Sequence, residues 1–247
     1  MSKIYEALHK AGKGPDERRR PEDDVPIRQD TRGRLSARLR EVWDRYESLH
    51  SALGKTLGGL TGKAVLFVSS VEGEGTSTVI AEYAASLGPT KEKATLLVDA
   101  NFRSPRLHEI FEVPNERGLA DVLLGTADLA SAAVHIGEEN LYLLPTGVTT
   151  TSPGALITIT RMSRLLAEAK ERFALVLIDA PPVISYAETS ILASVADGVA
   201  LVVESDRTKR EIVMRAKAAI EEAGGNILGV VLNRRRYVIP EFLYRYL

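Results

Sequence analysis

Short apolar segments recur along the middle of this chain, and segments with helical periodicity lie between them. Several apolar segments lack polar residues at alternate positions, which is typical of parallel strands covered by helices on both faces. The predicted strands span residues 64–70, 94–100, 140–145, 174–179, 198–205 and 226–233, and the clearest predicted helices span 78–87, 154–171 and 209–223. The pattern predicts an α/β domain with a mostly parallel sheet.

Four regions differ in this pattern. Residues 1–33 begin with a short amphipathic helix and continue through a segment rich in glycine, proline and charge, which we predict to be a flexible linker. Residues 34–60 return to helical spacing and predict a helix before the domain, which itself occupies residues 61–233. Residues 234–247 form a tail that contains tyrosines.

The composition narrows the function classes. The net charge is −1 and the isoelectric point is near 6.5, so no overall electrostatic attraction to nucleic acid or anionic membrane is expected. The chain has no cysteine, and its four histidines show no ligand spacing. Its apolar segments are too short to cross a bilayer, and its first residues do not form a signal peptide. We therefore expect a cytoplasmic protein without direct membrane insertion, peripheral at the inner membrane only through a partner.

A glycine-rich segment, SVEGEGTST at residues 70–78, lies between the first predicted strand and the first predicted helix. The backbone amides of such a loop converge on phosphate oxygens, and the helix dipole adds to the attraction. Loops of this kind need a lysine for the phosphates, followed by a serine or threonine for Mg²⁺. Ser77 supplies the hydroxyl, but Thr76 stands at the lysine position.

Two aspartates end predicted strands near this loop. Asp99 and Asp179 both lie at carboxyl edges of strands, where α/β sheets bind ligands and where a carboxylate can hold Mg²⁺. A single strand-end aspartate is more often the cap of a turn or helix. Because two of them accompany a phosphate loop, we predict a metal site formed by Ser77, Asp99 and Asp179.

Together these segments resemble the cytoplasmic kinase domain of the bacterial tyrosine autokinases of exopolysaccharide and capsule synthesis, over residues 44–233. The loop SSVEGEGTST keeps that family's motif except for a proline and the lysine. The segment DANFRSP keeps Asp99, Arg103 and Pro105 of a second motif and has Asn101 in place of its second aspartate. LIDAPPV resembles the family's Walker B strand.

The resemblance implies a P-loop NTPase fold, ATP or ADP with Mg²⁺, and a membrane-embedded, Wzz-like polysaccharide co-polymerase as partner. It implies that Asn233 approaches the purine base, although Asn233 could equally cap its strand. The implied catalytic residues are Asp99, Asn101 and Arg103. The implied nucleotide-binding residues are Gly73, Glu74, Gly75, Thr76, Ser77, Thr78 and Asn233. The implied phosphate acceptors in the tail are Tyr237, Tyr244 and Tyr246.

Three departures from the family concern its chemistry and assembly. Thr76 cannot supply the charge of the missing lysine, and Asn101 weakens Mg²⁺ binding and the activation of an attacking hydroxyl. The family carries Glu-x-x-Arg-x-x-Arg in the preceding helix for ring assembly, where this chain has Asp44, Glu47 and His50. We therefore predict a monomer or small oligomer, although the sequence does not determine the oligomeric state.

Three functions remain open at this point. The first is a weak or inactive kinase relative that binds nucleotide and regulates a polysaccharide co-polymerase. The second is an active tyrosine autokinase whose missing charge comes from Arg103 or from a neighbouring subunit. The third is a positioning ATPase of the partition or division-site type, which needs a lysine at the loop start, where Val71 and Glu72 stand.

The tail itself favours docking over phosphorylation. Pro240 and Glu241 suit the start of a short helix whose apolar face would carry Phe242, Leu243 and Tyr246. A mobile substrate segment is expected to be more polar than this. We predict that the tail packs on the domain or on the membrane partner.

Overall fold

The computed structural model describes residues 46–87, 94–136 and 140–234. Within them a seven-stranded sheet has the order β3-β4-β2-β5-β1-β6-β7. The strands are β1 (Lys63–Ser69), β2 (Thr95–Asp99), β3 (Val134–Ile136), β4 (Leu141–Leu144), β5 (Leu175–Asp179), β6 (Gly198–Glu204) and β7 (Ile227–Asn233). All neighbouring strands pair in parallel except β3, which runs antiparallel to β4. The mostly parallel sheet predicted from the apolar pattern is confirmed.

Nine helical segments accompany the sheet in the described part of the chain. The first, α1, spans residues 46–57 up to the edge of the described residues. The others are α2 (Thr76–Ser86), α3 (Leu107–Ile110), α4 (Leu119–Leu124), α5 (Leu129–Ala132), α6 (Pro153–Leu156), α7 (Ile159–Arg172), α8 (Ala187–Val195) and α9 (Arg210–Glu222). No helix within these residues is both long and apolar enough to span a membrane.

The six predicted strands are all present, with ends that differ by at most one residue from those expected. The additional strand, β3, has only three residues, which is too short for a recognisable apolar pattern. Its register with β4, from Val134 opposite Leu143 to Ile136 opposite Leu141, forms an antiparallel edge. The α8 helix and the short helices α3–α5 were also not predicted, because their apolar residues follow no long helical repeat.

Two hydrophobic cores cover the two faces of the sheet. One contains residues of α7, α8 and α9, such as Leu165, Leu192 and Ile220. The other contains residues of α1 and α2, such as Leu53 and Ile80. Helices therefore cover both faces, as the continuous apolar strands predicted.

The α1 helix packs against α2, the helix that follows the phosphate loop. The Tyr46 hydroxyl donates to Glu82 at 2.7 Å, and His50 Nδ1 lies 3.0 Å from the Tyr83 hydroxyl. Burial raises the pKa of Tyr83 well above its usual value, so its hydroxyl stays protonated. His50, at a position where the resembled family has a ring-forming arginine, thus contacts its own domain. The predictions for residues 1–33, for Asp44 and for the tail after residue 234 lie outside the described residues.

Candidate functional site

The phosphate loop joins β1 to α2 at the carboxyl edge of the sheet. Gly73 and Gly75 adopt positive φ angles of 85° and 88°, which favour glycine. A Cβ on Gly75 would lie 2.4 Å from Asn233 Nδ2, so only glycine fits there. The first bond of α2 runs from Val79 N to Gly75 O at 3.0 Å, which leaves the preceding amides free of intrahelical partners. The loop therefore has the backbone arrangement that binds phosphate.

Glu74 holds the loop in shape with its side chain. Its buried carboxylate accepts from the amides of Ser70 at 2.6 Å and Val71 at 3.0 Å through Oε2. Its Oε1 accepts from Glu204 N at 3.2 Å and Thr208 Oγ1 at 2.5 Å. Glu74 was predicted to contact nucleotide, and the structure leaves only its backbone for that role. Its carboxylate instead ties the loop to the end of β6.

Asn233 closes the same side of the loop at the end of β7. Its Nδ2 donates to Glu74 O at 2.8 Å, and its Oδ1 accepts from Arg234 N at 2.9 Å. The Arg234 guanidinium donates to Gly73 O and to Glu204 Oε2, each at 3.0 Å. These bonds make Asn233 a cap at the end of its strand, and its contact with the purine base stays a prediction. Arg234 was not predicted as a site residue; the run of three arginines after β7 was its only sequence signal.

Ser77, in the first turn of α2, hydrogen-bonds to Asp179 at the end of β5. Ser77 Oγ donates to Asp179 Oδ2 at 2.5 Å, across 102 residues of sequence. Asp179 is completely buried, and its Oδ1 has no hydrogen-bond partner within the described residues. Burial, and then the charge of Asp99, raise the pKa of Asp179 well above its usual value. A divalent cation would satisfy the unpaired oxygen and stabilise the charged form.

Asp99 lies beside Asp179 in the β2–β5 register and is equally buried. Its Oδ1 accepts from Asn101 N at 3.1 Å, and its Oδ2 accepts from Arg106 N at 3.2 Å and Leu107 N at 3.1 Å. Burial raises its pKa to about 6 despite these three amides. Asn101 Oδ1 accepts from Ser104 N at 3.2 Å. Both residues stabilise the turn after β2, and their catalytic and metal roles stay predictions.

Arg103 lies in the turn after β2 and contacts residues at the start of α8. Its Nε and Nη2 both lie 2.9 Å from Oε1 of the buried Glu188, and its guanidinium lies 4.9 Å from the centre of the Tyr186 ring. The Tyr186 hydroxyl donates to Glu72 Oε1 at 2.8 Å, which bridges to the phosphate loop. Arg103 was a candidate source of the missing positive charge. The structure pairs that charge with Glu188 instead. Sequence reasoning missed Glu188 and Tyr186, since neither belongs to a recognisable motif.

The remaining loop positions lie at the start of α2. Thr76, at the lysine position, is buried, whereas Thr78 is exposed. The Ser70 hydroxyl, like Asp179 Oδ1, is buried and without a hydrogen-bond partner in the described part of the chain. The glycine loop, Ser77 and Asp179 thus fit a Mg²⁺-bound nucleotide phosphate, although the loop itself carries no lysine.

Comparison with known proteins assigns the family. The chain is 33% identical over 174 residues to the tyrosine-protein kinase YwqD of Bacillus subtilis. This alignment covers 70% of this chain and 73% of that protein. It is also 33% identical over 177 residues to the tyrosine-protein kinase CpsD of Streptococcus agalactiae, covering 71% and 77% of the two chains.

The chain belongs to the bacterial tyrosine-kinase family. Residues 63–224 also match the family model described as cellulose biosynthesis protein BcsQ.

Solved structures of tyrosine kinases have the same fold. The kinase domain of the Escherichia coli tyrosine kinase ETK matches with a TM-score of 0.68 at 25% identity, over 78% of this chain and 75% of that one. The VpsO kinase domain matches with a TM-score of 0.71 at 26% identity, over 83% and 99%. The cell division ATPase MinD of Pyrococcus furiosus, at 24% identity and a TM-score of 0.60, shares the fold alone. This member of the bacterial tyrosine-kinase family is therefore a P-loop NTPase in fold.

Proposed function

We propose that this protein binds ATP and ADP with Mg²⁺ and regulates exopolysaccharide or capsule biosynthesis, with weak or absent kinase activity. The observation that carries the proposal is the hydrogen bond between Ser77, beside the glycine loop, and Asp179, whose other carboxylate oxygen has no partner within the described residues. A phosphate-bound Mg²⁺ between these two residues would complete the site. The first-turn amides of α2 would hold the phosphates.

The weak kinase activity that we propose follows from a missing positive charge at the site rather than from the shape of the site. Thr76 offers a neutral hydroxyl where the family motif has a lysine, and Arg103 is already paired with Glu188. Loss of one well-placed electrostatic stabiliser typically costs about 10²–10³ in rate. Asn101 has no carboxylate to accept a proton from an attacking hydroxyl, and its Oδ1 is used in a turn. These features support binding and regulation more than phosphoryl transfer.

The proposed partner is a membrane-embedded polysaccharide co-polymerase of the Wzz type. The chain aligns with only 25% of the length of two larger relatives, the putative tyrosine-protein kinase EpsB of Ralstonia solanacearum and the tyrosine-protein kinase etk of Escherichia coli. Those relatives therefore contain long segments outside the part that aligns with this chain. Co-purification with the product of a neighbouring co-polymerase gene tests the partnership.

Calorimetric titration with Mg-ADP and Mg-ATP tests the nucleotide site directly. We expect measurable but weakened binding by the natural protein, and tightening of ATP binding by at least several-fold in Thr76→Lys. The matched control is Thr78→Lys, which adds the same charge two positions later on an exposed residue. Equal tightening in both variants would indicate a non-specific charge effect and refute the lysine assignment. No binding of either nucleotide would refute the proposed function.

An active autokinase is the alternative that the assay must separate. Transfer of labelled γ-phosphate from ATP to tyrosine, lost in Asp179→Asn, would establish it. Transfer that appears only after Thr76→Lys would support the weak or inactive kinase.

A further inference from the structure

The phosphate loop has no lysine, but a basic side chain from the other end of the domain reaches it. We propose that Arg234 supplies the phosphate-binding charge that Thr76 cannot, an inference that rests on the proposed nucleotide site. Arg234 follows β7 and lies 161 residues away from Gly73 in sequence. Within the described residues, no other basic side chain hydrogen-bonds to the loop.

The backbone positions Arg234 for this contact. Its φ angle of 54° turns the chain sharply at the end of β7, and Asn233 Oδ1 accepts its amide at 2.9 Å. The guanidinium then donates to Gly73 O at 3.0 Å. Its Nη2 lies 3.8 Å from the position that a Cβ on Gly75 would occupy. The charge is therefore beside both glycines whose conformation shapes the phosphate loop.

The surrounding charges leave Arg234 available to an anion. Glu204 Oε2 accepts from Arg234 at 3.0 Å and from Arg207 at 2.9 Å, so two cations share one carboxylate. The Glu74 carboxylate is directed into the protein and fully occupied. The Arg234 side chain is 53% exposed and can add a phosphate oxygen to its partners. A guanidinium has five donors and binds phosphate well.

Arg103 is a weaker candidate for this role. It forms a one-to-one pair with the buried Glu188, a carboxylate that would be left uncompensated if Arg103 turned away. Arg103 also packs over Tyr186, with its guanidinium 4.9 Å from the centre of the ring. The balance of charges therefore favours Arg234.

Arg234 could instead stack on the purine base, and the two roles differ in their dependence on phosphate charge. A phosphate-binding cation strengthens the binding of ATP more than that of ADP, and that of ADP more than that of AMP, because the attraction grows with the charge of the ligand. A stacking arginine strengthens all adenine ligands, including adenosine, by a similar factor. The ligand series thus identifies the role.

The experiment is calorimetric titration of Arg234→Gln and Arg234→Lys with Mg-ATP, Mg-ADP, AMP and adenosine. We expect Arg234→Gln to weaken Mg-ATP binding about tenfold or more, with progressively smaller losses for Mg-ADP and AMP. Arg234→Lys retains most of the affinity, because the positive charge remains. The matched control is Arg172→Gln, which removes a 46% exposed, carboxylate-paired arginine at the end of α7. That control is expected to bind like the natural protein.

A second-site test links Arg234 to the missing lysine. If both supply the same charge, Thr76→Lys restores Mg-ATP binding to Arg234→Gln, and the two substitutions are not additive. Equal losses for ATP and adenosine, or unchanged affinity in a folded Arg234→Gln, would overturn the inference while leaving nucleotide binding established. Absence of binding by the natural protein would overturn both proposals. Thermal melting of each variant establishes that it is folded.

Discussion

Asp99 and Asp179 end neighbouring strands, lie opposite each other in register and are equally buried, yet they make different hydrogen bonds. Both oxygens of Asp99 accept backbone amides, three in total. Within the described ranges, Asp179 accepts one side-chain hydrogen bond, from the Ser77 hydroxyl, and its Oδ1 has no hydrogen-bond partner. One carboxylate stabilises the turn after its strand, whereas the other makes no such backbone contacts through its free oxygen in the described part of the chain. The same signal in the sequence, an aspartate at a strand end, thus has two outcomes.

The electrostatic cost of the two residues differs accordingly. Burial raises the pKa of both, to about 6 for Asp99, where the amides partly compensate. For Asp179 burial and the neighbouring Asp99 charge both act to raise the pKa, opposed chiefly by the Ser77 hydroxyl. A buried, poorly compensated carboxylate is costly to the ligand-free protein and useful only when something binds it. Four predictions test this comparison.

The largest expected effect is the loss of stability in Asp99→Ala. Three buried or partly buried amides would lose their acceptor, and we expect the free energy of unfolding to fall by about 3 kcal/mol. Urea denaturation measures this. The matched control is Asp128→Ala, which removes the exposed cap of α5, bonded to Ser131 N at 2.7 Å, and is expected to lower the stability clearly less. A smaller loss in Asp99→Ala than in the control would contradict the structural role.

Asp179→Asn is expected to act in the opposite direction. Removing the repelled buried charge is expected to raise the ligand-free stability at neutral pH, because burial and the neighbouring Asp99 both disfavour the charged form of Asp179. The same variant loses Mg-nucleotide binding. Melting and titration measure the two effects. Asp197→Asn serves as control, because Asp197 pairs with Lys170 at 3.1 Å and its neutralisation should destabilise. A destabilised Asp179→Asn would show that the carboxylate is structural.

The pH dependence of stability is the third expected effect. The folded pKa of Asp99, about 6, lies above its ordinary value of 3.8, so the folded protein binds more protons between these values. This contribution therefore increases stability as the pH falls from about 7 towards about 4, by on the order of 1–3 kcal/mol before other groups are counted. Asp179→Asn should flatten the dependence, because it removes a second buried carboxyl group whose pKa is raised by burial and by the charge of Asp99. Identical pH profiles for the two proteins would refute the coupling.

Ser77→Ala is expected to have the smallest effect on stability. It removes the hydroxyl that donates to Asp179, at a cost of about 0.5–1 kcal/mol. The control is Ser131→Ala, whose exposed hydroxyl bonds Asp128 O at 3.1 Å and should cost no more than about 0.5 kcal/mol. Thermal melting of both variants provides the comparison. A Ser77→Ala variant that melts like the natural protein would mean that the Ser77–Asp179 bond contributes nothing without ligand.

The sequence by itself determined the main architecture and the position of the site. Continuous apolar segments predicted six parallel strands, and the glycine loop and strand-end aspartates marked one edge of the sheet. These features are local, because strand pattern and turn chemistry depend on residues within a few positions of each other. The short β3 strand escaped prediction for the same reason, since three residues carry too little pattern.

Only the tertiary structure decided how the charges at that edge are paired. Ser77 meets Asp179 across 102 residues, Arg103 meets Glu188 across 85, and Arg234 meets Gly73 across 161. A charged side chain is free, paired or a cap according to its neighbours at the carboxyl edge of the sheet. Those neighbours are set by the strand order β2-β5-β1-β6-β7. Burial then determines the free-energy cost of each unpaired group. Neither the pairing nor the burial of these groups can be read from a local sequence pattern.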